Sequence, residues 1–181
     1  YYGTMLIEKV VYQMHNIQER LAESILSGNF HIAEDIMNQT DFLEFEEIFI
    51  SACHKSESVM YYTFILEQMK KEETVELHDL AFLLLVYPLC EVNGAFHSAY
   101  YHAERAVYMT DSKEIKNLLQ LLFLYTVPNP VLSDREAFDT AQQILSIDSN
   151  NQVARKLMKK AAKQLDQVVI DIKDFNHYKN A

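Results

Sequence analysis

The chain has 181 residues, of which only 3 are Gly and 3 are Pro, well below the usual share of about 12% for the pair. That scarcity excludes sandwiches, barrels and propellers, which need a turn about every 8–12 residues, and a hydrophobic content of 49% excludes a disordered chain. The net charge of −10 is uneven: residues 1–90 carry 5 basic and 15 acidic side chains, whereas residues 91–181 carry 11 of each.

Taken in order, nearly every segment scans with the 3.6-residue period of an amphipathic helix. Tyr1-Tyr2-Gly3-Thr4 stand ahead of Met5, which reads as the natural start, and no basic region precedes an apolar one as in a signal peptide. Met5 to Ser27 reads as helix, with Leu6, Val10, Met14, Ile17, Leu21 and Ile25 on one stripe and Gly28 ending it. Phe30 to Gln39 is a short second helix. Asp41 caps a third, with Glu44 at the capping-box position, running to about His54. Ser56 or Ser58 caps a fourth, to about Lys71. It contains the β-prone run Tyr61-Tyr62-Thr63-Phe64-Ile65, but its flanks favour helix.

Thr74 starts a strongly apolar helix expected to reach Pro88 or a little beyond. The longest apolar run, Leu80 to Cys90, is 11 residues, short of the ~20 of a membrane span. Asn93-Gly94 breaks the chain before a helix over Ala95–Met109. Ser112 begins the next, which must stop by Val127 because Pro128-Asn129-Pro130 cannot continue it. Ser133 caps Asp134–Ile147, with Glu136 completing a capping box. Asn150 to about Phe175 forms a long terminal helix, giving nine helices and no strand.

Three segments repeat. Gly28-Asn29-Phe30-His31-Ile32-Ala33 matches Gly94-Ala95-Phe96-His97-Ser98-Ala99 in Gly, aromatic and Ala at offsets 0, 2 and 5. Ala137-Phe138 followed by Ile147-Asp148-Ser149-Asn150 keeps the later half of the pattern. The alanines Ala33, Ala99 and Ala137 are 66 and 38 residues apart, so one copy is missing from the pattern, with Tyr61 or Thr63 where Ala is expected. At these residues the sequence resembles the tetratricopeptide repeat family, which repeats about every 34 residues as two antiparallel helices. Gly94, Phe96, Ala99 and Ala106 look like its turn glycine, aromatic and helix-seam alanines. Ser149 stands in place of its repeat-end proline, Pro88 falls within a first helix, and Pro128 and Pro130 lengthen a loop.

The resemblance implies an all-α superhelix (solenoid) of about four degenerate helix-turn-helix repeats, forming one domain over 1–181. Residues 151–175 would be its capping helix, 176–181 a tail and 1–4 foreign to it. It also implies that first helices line a concave partner-binding face. Counting from the matched Gly and Ala, the exposed inner positions are His15, Gln18, Glu44, Glu47, Leu84, Tyr87 and Leu122.

Catalytic signatures are missing. The glycines are isolated at 3, 28 and 94, so no dinucleotide fingerprint, P-loop or nucleophile elbow can be built, and no H-E-x-x-H is present. His97 and His102 point about 140° apart on a helix, reading as one surface and one packed histidine rather than a metal pair. Cys53 and Cys90 lie in apolar surroundings and read as buried free thiols of a reducing cytoplasm. Arg155, Lys156, Lys159, Lys160 and Lys163 fall on one helical face, read as solvated surface.

The expectation is a cytoplasmic, non-catalytic interaction module without cofactor or metal. Its partner is a protein or peptide with a basic patch, neither nucleic acid nor membrane; an adaptor, a sensor or a toxin-neutralising protein all fit. The alternatives are a helical-bundle enzyme whose site is assembled from distant segments, and a self-associating subunit such as a homodimer.

Overall fold

A computed structural model describes residues 15–179, with side chains described as far as Asp166 in the last helix. Tyr1–Thr4 and the expected start of the first helix over 5–14 lie outside the described residues. Among those described there are nine helical segments and no strand: α1 (15–26), α2 (Phe30–Gln39), α3 (Phe42–Ser56), α4 (Met60–Lys71), α5 (Val75–Val86), α6 (Ala95–Met109), α7 (Ile115–Phe123), α8 (Asp134–Ile147) and α9 (Gln152–Lys179). They fall into two compact units, and the division lies within α6, after Ala99.

Three helix starts, at Asp41, Thr74 and Ser133, fall on the residues expected from the sequence. Asp41 accepts from the amides of Leu43 and Glu44 at the start of α3, and Thr74 accepts from that of Leu77 at the start of α5. Ser133 and Glu136 form a full capping box at α8, and Asn151 caps α9 by accepting from the Ala154 amide at 3.0 Å. Gly28 (φ +75°) ends α1, with the Asn29 amide donating to the Ser24 carbonyl, a left-handed termination that suits glycine.

Three boundaries differ from expectation. α4 begins at Met60 with Val59, not Ser56 or Ser58, at its N-cap position, and Ser56 is the last residue of α3. α5 ends at Val86, before Pro88, because proline disfavours helical backbone at the residue ahead of it; Tyr87 has φ −123° and ψ −82°. Ser112 does not open α7. Asp111 and Ser112 both have positive φ and close α6, with the Ser112 amide donating to the Val107 carbonyl at 2.8 Å, so α7 starts at Ile115. The β-prone run at Tyr61 is helical, since Tyr61, Phe64 and Ile65 point into the core at helical spacing.

In the first unit, alternate helices are neighbours. Gln18 of α1 bonds Ser51 of α3, α3 packs on α5, Phe30 of α2 meets Phe64 of α4 edge-on at 5.5 Å, and Lys71 of α4 reaches Glu34 of α2. The odd and even helices are joined by a core of Leu21, Ile25, Phe45, Phe49, Tyr61, Phe64, Leu80 and Leu84, with Phe49 packing on Tyr61 and on Phe64. In the second unit, α8 packs on both α7 and α9 through Ala137, Ala141, Ile144, Ala154, Leu157 and Ala161. Ala33, Ala99 and Ala137, the three repeated alanines, are all completely buried.

Candidate partner-binding face

The surface shared by α1, α3 and α5 is built from α3 outward. At 100° per residue, Glu44, Glu47, Ser51, His54 and Lys55 lie on one side of that helix, and all five are exposed. Phe45, Ile48, Phe49 and Ala52 occupy the buried side. Gln18 of α1 reaches across: its amide nitrogen donates to Ser51 Oγ at 2.7 Å, and Lys55 Nζ donates to its amide oxygen at 3.0 Å. Beyond the end of α5, Tyr87 is 56% exposed and stacks on His54, with ring centroids 5.0 Å apart and planes at 21°. His15 pairs with Glu19 one turn along α1 at 3.0 Å, both on the surface.

Five of the seven expected positions therefore reach the surface, with Gln18 half-buried and His15, Glu44, Glu47 and Tyr87 exposed. Gln18 is tied to α3, and Tyr87 to His54. Leu84 and Leu122 are corrections, because both are fully buried. α5 is apolar nearly all round and buries Leu77, Leu80, Ala81, Phe82, Leu84 and Leu85, so it has no polar inner stripe at that register. In α7, Leu118 and Leu122 stand one turn apart on its buried side. Ser51, His54 and Lys55 were missed, although their spacing from Glu44 and Glu47 follows the same helical face.

The face is chemically lopsided. Glu44 and Glu47 make no ion pair among the described residues, and Asp41 joins them at the start of α3. Lys55 stands at the other end, so the field runs from negative to weakly positive along about four turns.

Burial, reinforced by the charge of Glu57, pushes the Cys53 thiol up to about 12, far from a reactive thiolate. Cys90 is also free but only half-buried, unlike the fully buried thiol expected. His78 meets Glu73 at 3.0 Å but is almost completely enclosed. His97 is exposed and His102 buried, as their spacing implies. Among the described residues, no group of three His, Cys, Asp or Glu side chains is placed to hold a metal, and no helix is long and apolar enough to cross a membrane.

Two cavities, of about 750 Å³ and 420 Å³, lie along α1 and α2 and share Arg20 and Ile32. They are open, with Ile17, Leu26 and Ile36 among their walls and Glu23 and Asp35 beside Arg20. Comparison with protein-family models, with curated proteins and with solved structures finds no match to this chain.

Proposed function

We propose that this protein is a non-catalytic interaction module, a solenoid of tetratricopeptide-like helix pairs that offers its odd-helix face to a basic protein or peptide in the cytoplasm. The observation that carries the reading is the pair Glu44 and Glu47, exposed and without ion pairs among the described residues, on a face held in place by the Gln18–Ser51–Lys55 hydrogen bonds. Support for the repeat comes from Gly28 and Gly94, each left-handed at a turn ahead of a second helix, and from the buried alanines that follow them. A fixed polar lattice beside unpaired carboxylates and an exposed His–Tyr stack recognises cationic side chains by charge and by ring contact.

The test is the ionic-strength dependence of binding. Immobilised protein is exposed to a panel of lysine- and arginine-rich peptides, with acidic peptides as controls. Association of the basic peptides slows as the Debye length falls from about 10 Å at 0.1 M salt to about 3 Å at 1 M. Neutralising Glu44, Glu46 and Glu47 together to Gln slows association roughly tenfold and changes dissociation less. Salt-independent association, or selection of the acidic peptides, overturns the proposal.

A further inference from the structure

The basic face of α9 has a chemistry that the acidic face does not use. Arg155, Lys156, Lys159, Lys160 and Lys163 are all exposed. They sweep about 140° of the helix, opposite the buried Ala154, Leu157 and Ala161. Arg155 donates to the Ser149 carbonyl at 2.7 Å, and Lys160 stands over the Tyr125 ring at 4.5 Å. Among the described residues none of the five makes an ion pair.

The charge distribution of the chain indicates what fits this face. Residues 100–181, which include it, carry 11 basic and 10 acidic groups, whereas residues 1–99 carry 5 and 16. Nucleic acid and anionic lipid surfaces present long arrays of negative charge, and both repel the acidic half that travels with α9. A small acidic cluster on a protein offers the opposite charge without a long array of it. The chain carries one: Asp41, Glu44 and Glu47 span about 9 Å at the start of α3, against about 12 Å from Arg155 to Lys163. A contact between two acidic halves sets like charges together. A contact between the α9 face of one copy and the acidic start of α3 on another sets opposite charges together.

We propose that the protein self-associates through the basic face of α9 on one copy and the acidic start of α3 on a second copy. The contact is heterologous, so each copy in a dimer made by one such contact still has one of the two faces open unless the assembly closes on itself. It also makes α9 a competitor for the face assigned to basic partners, although the contact stands whether or not such a partner exists.

Sedimentation equilibrium of the full chain over a range of concentrations tests it. At about 0.1 M salt the average mass rises with concentration to at least twice that of one chain, and at about 1 M salt it returns to that of the monomer. Reversing α9 (Lys156→Glu, Lys159→Glu, Lys163→Glu) or α3 (Glu44→Lys, Glu47→Lys) weakens self-association roughly tenfold or more. Mixing the two variants restores a joint species. All five positions are exposed, and circular dichroism verifies the fold; the neutral changes Lys159→Gln with Lys163→Gln provide a milder second arm with a smaller loss.

A wild-type chain that stays monomeric at every concentration overturns the proposal. So does self-association indifferent to both reversals, or a mixture that fails to reassociate. Binding of the wild-type monomer, but not the α9 variant, to duplex DNA or to phosphatidylserine vesicles assigns the face to those anions instead.

Discussion

Ala33 of α2, Ala99 of α6 and Ala137 of α8 expose no surface. A fully enclosed methyl group leaves no room for growth. Ala99→Leu forces three further carbons into that space and costs about 1–3 kcal/mol, read as a lower midpoint of urea unfolding. An unchanged midpoint would show that Ala99 is not enclosed. Gly28 and Gly94 answer a different need. A Cβ on Gly28 or Gly94 would meet nothing within 4 Å, so their positive φ, not close packing, is what excludes other residues. These small residues were legible because each has one physical use at that spacing. Leu84 was not: its register is that of an inner-face residue, but α5 has no polar stripe, and the surroundings of a helix decide which of its apolar sides is covered.

At the scale of the helix, the start of α8 shows how local chemistry fixes a boundary. The Ser133 hydroxyl donates to Glu136 Oε2 at 2.6 Å, the Ser133 amide donates to the same oxygen at 2.8 Å, and the Glu136 amide donates back to Ser133 Oγ at 3.3 Å. The Ser133 hydroxyl, then its amide, with Tyr100 adding a weaker contribution, hold the Glu136 carboxyl below its usual range, with burial opposing them. A depressed carboxylate stabilises the fold fully above its unfolded value, near 4.5, and that contribution is lost as pH falls through the folded value. Glu136→Gln therefore flattens the acid limb of the stability profile while leaving its slope above neutral pH unchanged. Ser133→Ala costs about 1 kcal/mol at pH 7 and flattens the same limb. A variant with the wild-type acid limb would show that the box does not hold the carboxylate. Caps at Asp41, Thr74 and Ser133 were legible because a side chain and its target amide are three residues apart or fewer. The start of α7 was hidden, since the left-handed pair Asp111–Ser112 belongs to the end of α6 and neither residue is glycine.

At the scale of the whole molecule, the two free thiols are very unequal in access, and that inequality has a kinetic consequence. Cys90 is half-buried, whereas Cys53 is sealed between α3 and the rest of the first unit's core and resists ionisation. A thiol-specific reagent near neutral pH labels Cys90 first. Cys53 reacts only during the brief intervals when its helix lifts from the core, at a rate set by the opening equilibrium times the intrinsic rate. Sub-denaturing urea accelerates the labelling of Cys53 far more than that of Cys90, and equal labelling rates for the two would refute its enclosure. The chain thus contains a stopwatch for its own breathing, with Cys90 as the internal standard, and any ligand that clamps α3 will register as a slowing of Cys53 alone.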